Sequence, residues 1–164
     1  MQKRVLSVLV ENHSGVLSRI SGLFSRRGYN IDSLSVGETE DPTISRMTIV
    51  ADADEYTLEQ IKKQLNKLVD VITITELKEE QAIYRELALI KVSATNENRA
   101  EIIEIAHIFR AHVVDIANES VVIEATGIQG KISALTNMLT PYGIKEVIRT
   151  GLTALERGEK ELKG

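Results

Sequence analysis

The chain has 164 residues, 43% of them hydrophobic and 27% charged, with a net charge of −4 and no cysteine. That length suits one average domain or two small ones. The mild acidity gives no bulk attraction to nucleic acid or to an anionic membrane surface. Without cysteine there is no disulfide framework, thiolate metal site, iron–sulfur cluster or cysteine nucleophile. No apolar run approaches the roughly 20 residues that span a bilayer, and no signal-peptide pattern precedes the first strand-like segment, so the expected address is the cytoplasm.

Residues 4–11 are β-branched and apolar on both faces, which predicts a strand buried on both sides. Val16, Leu17, Ile20, Leu23 and Phe24 then form a helical stripe that ends at Arg27, with Gly28 in the position of a helix-terminating residue. Residues 30–36 and 44–51 read as a hairpin around the Asp41-Pro42 turn. Leu58, Ile61, Leu65 and Leu68 mark a second helix, for which Asp54 reads as an N-cap or first-turn acid rather than a catalytic carboxylate, and residues 69–76 a fourth strand. The order β-α-β-β-α-β is that of the ferredoxin-like fold, a four-stranded antiparallel sheet with both helices on one face.

The order then repeats. Residues 86–94 predict a strand, Ile102, Ile105, Ala106 and Phe109 a helix, and 112–117 with 120–126 a hairpin around Asn118-Glu119. Ile132, Leu135, Met138 and Leu139 predict another helix, ended by Pro141-Tyr142-Gly143 before a last strand at 144–150. The chain is therefore expected to be α+β, with two tandem ferredoxin-like modules over residues 1–78 and 82–164. Helices cover only one face of each sheet, so the other face is expected to associate with a module or a second chain. Residues 157–161 read as a frayed polar tail.

Chemistry concentrates at Glu11-Asn12-His13-Ser14-Gly15-Val16-Leu17, where the first strand meets the first helix. Glycine permits close backbone approach, and a helix N-terminus presents unpaired N–H groups at Gly15, Val16 and Leu17 that suit an anion such as a carboxylate. Asn12 adds an amide that donates and accepts. The plain alternative is that Ser14 caps the helix and Gly15 is a neutral first-turn residue. At the far end, Arg27-Gly28-Tyr29-Asn30-Ile31 reads either as a simple helix stop or as a second polar contact region. Glu101, Glu104 and His107 share a helix face, best read as solvated charge. His13 and His112 have no carboxylate at a diagnostic sequence spacing, and no metal ligand set or catalytic constellation stands out.

Taken together, Asn12-x-Ser14-Gly15-Val16-Leu17 and Arg27-Gly28-Tyr29-Asn30-Ile31 on a β-α-β unit resemble the ACT domain, an amino-acid-sensing module. With Asp41–Ile49, Gln64–Val71, Arg85–Val92 and Arg149-Thr150-Gly151, nearly the whole chain resembles the small regulatory subunits of acetolactate synthase. The loop carries Asn12-His13-Ser14-Gly15 where general ACT domains have Asp-x-Pro-Gly. The resemblance implies a non-catalytic chain that binds a large catalytic subunit, raises its activity and confers feedback inhibition by valine. Thiamine diphosphate, magnesium and FAD are then expected only on that partner, and none in this chain. It also implies a homodimer through the ACT domain. Gly15, Val16 and Leu17 would hold the valine carboxylate, Asn12 and Asn30 (the latter from the opposite protomer) would supply polar contacts, and Ile31 would bound an apolar pocket. The equivalent second-module loop, Thr95–Arg99, has no glycine and carries Glu97, so no amino acid is expected there. The other reading of the same module is a sensor that regulates a different enzyme. An RNA-recognition sheet is excluded by the scarcity of aromatics and the acidic balance.

Overall fold

The computed structural model describes residues 2–163. Two compact units form, Met1–Ile83 with Leu152–Gly164, and Tyr84–Gly151. In the first, β1 (Gln2–Glu11), α1 (Val16–Arg27), β2 (Ile31–Glu38), β3 (Ile44–Ala53), α2 (Glu55–Asn66) and β4 (Val71–Glu76) follow the expected order. The strands lie as β2-β3-β1-β4, all antiparallel. The register pairs Leu6 with Ile49 and Val8 with Met47, so alternate residues of both central strands share one face. Against that face pack Ile20, Leu23 and Phe24 of α1 and Leu58, Ile61 and Leu65 of α2. The 3.6-residue stripe of each helix and the two-residue alternation of the strands thus meet in one core. Val5, Ser7 and Leu9, on the opposite face of β1, are buried as well.

Two differences from expectation concern this unit. Strand β4 starts at Val71, because Val69 and Asp70 are taken up in a turn in which Val71 N–H donates to Leu68 O. The second concerns the end of the chain. From sequence, residues 82–164 form the second module; the structure groups Leu152–Gly164 with the first unit and forms a short strand, β9 (Thr153–Glu156), while residues 157–161, expected as a frayed tail, hold neither helix nor strand. Gly151 turns the chain with φ +81°. Leu152 N–H then donates to Ser33 Oγ and Ser35 Oγ–H to Leu152 O, while Arg46 donates to Ala154 O. The segment is thereby fixed to β2 and β3 through residues more than a hundred positions away, a contact with no local periodic signal.

The second unit contains β5 (Ala82–Ser93, from Tyr84 onward), α3 (Arg99–Ile108), β6 (His112–Ile116), β7 (Ser120–Gly127), α4 (Gln129–Leu139) and β8 (Ile144–Arg149). Its strand order, β6-β7-β5-β8, repeats that of the first unit. Ala88, Ile90 and Val92 face Ile102, Ala106, Ile132, Leu135 and Leu139, whereas Met138, on the predicted stripe, is exposed. On the opposite face Leu89 and its neighbour Ile148 are exposed. Buried Glu86 is neutralised by Arg149 of the adjacent strand, whose Nε lies 2.7 Å from Glu86 Oε1. A carboxylate taken out of water needs such a partner.

Ending the chain at Gly151 removes the three hydrogen bonds from Ser35, Arg46 and Leu152. At about 1 kcal/mol each, the first unit should lose on the order of 3 kcal/mol. Hydrogen exchange at β2 and β3 should accelerate accordingly while β7 keeps its protection; unchanged exchange at β2 and β3 contradicts this role.

Candidate functional site

The junction of β1 and α1 is built by backbone first. Asn12 N–H donates to Thr43 O at 2.8 Å, and its side-chain amide donates to Pro42 O at 2.8 Å and to Glu38 Oε1 at 3.2 Å. Asn12 therefore ties the end of β1 to the β2–β3 hairpin, and its amide N–H groups are occupied. Gly15 follows with φ +87°, a left-handed conformation that other residues adopt only with strain, and it is the N-cap of α1. Ser14 does not cap: no side chain accepts from the helix N–H groups, and the first turn holds no acidic residue. Arg19 N–H donates to Gly15 O at 3.0 Å, closing the first turn.

The contrast with α2 shows what this leaves. There Asp54 accepts from Thr57 N–H at 2.7 Å and Glu55 sits in the first turn, so the N-terminal partial charge is answered within the chain. At α1 no side chain caps the first-turn N–H groups, and the positive end of the helix dipole lies behind them. The Arg19 guanidinium lies over Gly15; a Cβ built there would stand 2.9 Å from its Nη1. A helix N-terminus without a side-chain cap, beside a guanidinium, has the chemistry to accept an anion.

The loop is pinned from below by Asp70, in the turn between α2 and β4. It is 4% exposed. Its backbone carbonyl accepts from Glu11 N–H at 2.9 Å, its Oδ2 from Arg19 Nε at 2.6 Å, and its Oδ1 lies 3.1 Å from His13 Nε2. The same His13 nitrogen lies 3.1 Å from Glu11 Oε2, and Nδ1 faces Ser14 O at 3.4 Å. Sequence spacing gave His13 no carboxylate partner; folding supplies two. In sequence Asp70 falls in the predicted strand 69–76 and in the Gln64–Val71 stretch of the family resemblance, and neither marks it as a partner of His13. The His13 pKa is raised above 6.5, first by the Ser14 carbonyl, then by Glu11, with Asp70 adding to it.

The six residues singled out from sequence do not converge within one chain. Asn12, Gly15, Val16 and Leu17 stand at the N-terminal end of α1, where Val16 is buried and Leu17 is half exposed. Asn30 and Ile31 follow its C-terminal end, roughly 18 Å away along a 12-residue helix. There Gly28 (φ +70°) terminates the helix, with Tyr29 N–H donating to Phe24 O at 2.9 Å. Asn30 donates to Asp32 Oδ1 at 2.9 Å, and Ile31 packs partly on the core. In the second unit the corresponding loop is consumed internally. Asn98 Oδ1 accepts from Thr95 N–H at 2.7 Å, and Arg99 donates to Asn96 Oδ1 and to the carbonyls of Ala117 and Asn118.

A βαββαβ unit with an open, glycine-capped first helix defines an ACT-type regulatory module, and the comparisons with known proteins agree. Residues 6–73 match the model of the AHAS small subunit-like ACT domain, and residues 85–158 that of the small subunit of acetolactate synthase. The acetolactate synthase small subunit of Mycolicibacterium smegmatis is 54% identical over 155 residues, covering 94% of this chain and 91% of its own. That of Bacillus subtilis is 48% identical over 160 residues, covering 97% and 93%. The crystal structure of the acetolactate synthase small subunit from Thermotoga maritima superposes with a TM-score of 0.92 at 40% identity, over 98% of this chain and 100% of that one. The chain belongs to the acetolactate synthase small subunit family and is a regulatory rather than a catalytic chain. No helix among the described residues is long and apolar enough to cross a membrane.

The raised pKa has a stability consequence of definite sign. A proton held more tightly in the folded chain stabilises it fully below pH 6.5, and this contribution is lost as pH rises through the folded value. Proton NMR of His13 should give a pKa above 6.5 that falls in Glu11→Gln; a wild-type value at or below 6.5 contradicts the arrangement.

Proposed function

We propose that this chain activates the thiamine-diphosphate-dependent catalytic subunit of acetolactate synthase and makes it sensitive to valine, acting in the cytoplasm in branched-chain amino-acid biosynthesis. The observation that carries the effector reading is the uncapped N-terminus of α1 at left-handed Gly15, flanked by the Arg19 guanidinium and free of first-turn acid. A free amino acid presents the carboxylate that such a site accepts. Asn30 and Ile31 lie too far along α1 to reach the same molecule from the same chain. They complete the site from a second copy, which makes the homodimer part of the binding device. Thiamine diphosphate, magnesium and FAD belong to the catalytic partner.

Regulation then follows from linkage. Valine stabilises one arrangement of the paired modules, and that arrangement favours a less active catalytic subunit. Valine affinity and catalytic-subunit affinity must change each other by the same factor, about 5–150-fold for a coupling of roughly 1–3 kcal/mol.

The test is acetolactate formation from pyruvate by the catalytic subunit, with and without this chain, across a valine titration. Activation with new valine inhibition is the expected result. Gly15→Asp should lose valine inhibition while activation persists, because it places a carboxylate on the anion site in a backbone conformation that strains any side chain. Unchanged inhibition in Gly15→Asp overturns the site; absence of activation overturns the partner and favours a sensor of a different enzyme.

A further inference from the structure

We propose that Glu11, His13 and Asp70 form a binding site for a divalent first-row transition-metal ion of the zinc or cobalt class. The three residues come from the end of β1, the loop after it and the turn before β4, and each presents one donor atom, all within 4.8 Å of one another. His13 Nε2 lies 3.1 Å from Glu11 Oε2 and 3.1 Å from Asp70 Oδ1. Donor atoms about 2.0–2.2 Å from a shared ion stand roughly 3.0–3.5 Å apart in octahedral or tetrahedral geometry. Those two separations need little adjustment to admit the ion.

The surroundings resemble a supporting shell. A ligating histidine normally gives its second ring N–H to a carbonyl or carboxylate, which fixes the tautomer and turns the other nitrogen to the metal. Here Nδ1 faces Ser14 O at 3.4 Å, leaving Nε2 toward the carboxylates. Asp70 is held in place twice, by Arg19 Nε on Oδ2 at 2.6 Å and by Glu11 N–H on its backbone carbonyl at 2.9 Å. Arg19 therefore orients one oxygen of Asp70 and leaves the other for the ion. One imidazole with two carboxylates favours zinc, cobalt or nickel over magnesium and calcium, which take all-oxygen sets. Three protein donors leave at least one position for water or another anion. Two carboxylates, one guanidinium and a divalent ion sum to one positive charge beside the open end of α1. The site does not depend on which effector, if any, binds there.

The probe is Co²⁺ added to the full-length chain, followed by its visible d–d absorption, with Zn²⁺ binding measured by calorimetry. One ion per chain is expected, with a raised thermal midpoint. Affinity should fall at least tenfold in His13→Gln and in Glu11→Gln, and remain within twofold in His112→Gln, a surface histidine outside the cluster. Both test residues are solvent-facing, so folding is checked by thermal melting without metal; Asp70→Asn is avoided because it would strand Arg19. Failure to reach one ion per chain, or equal affinity in wild type and His13→Gln, overturns the proposal and leaves His13 as an imidazolium bridging two carboxylates.

Discussion

The constraint on which the start of α1 depends is the position of Asp70. A carboxylate that is almost wholly buried must have its charge answered, and here Arg19 answers it from the first turns of α1 while His13 approaches the second oxygen. Its backbone carbonyl holds the end of β1 through Glu11. One residue in a tight turn thus fixes the strand end, the loop and the helix start relative to one another. Losing it would leave the Arg19 guanidinium without its carboxylate and His13 with Glu11 alone at the point where the chain enters α1.

What that scaffold presents is decided by capping. The four α-helix starts among the described residues are treated differently. Asp54 caps α2 and answers its dipole. The loop before α3 is tied into itself by Asn98 and Arg99. Helix α4, like α1, has neither a side-chain cap nor an acid in its first turn, but among the described residues α1 alone is entered through a left-handed glycine, with a basic residue lying over it. Two modules of the same topology therefore differ where ligand chemistry is concerned, and the difference lies in a few residues rather than in the fold.

Most of the architecture was legible in the sequence because it rests on short-range periodicity. Leu58, Ile61 and Leu65 announce a helix without reference to anything distant, Val5–Val10 announce a strand buried on both faces, and Gly28 is read as a helix stop and is one. The C-terminal segment was not legible: Ser33, Ser35 and Arg46 bind it across more than a hundred residues, and a four-residue strand carries too little pattern to stand out. At the site, Gly15 and the free N–H groups could be anticipated from a glycine before an amphipathic run. The engagement of Asn12 by Pro42 and Glu38, and the meeting of Asp70 with His13 and Arg19, could not, because sequence spacing says nothing about which loops the sheet register brings together.

The central claim is that the open start of α1, and not its counterpart in the second unit, receives the effector. The most direct measurement is a nitrogen–proton correlation spectrum of the labelled chain during titration with valine. Saturable shifts at the amides of Gly15, Val16 and Leu17, with Thr95–Arg99 unmoved, are predicted. Saturable binding that leaves those three amides in place, or that moves Thr95–Arg99 instead, would contradict the account.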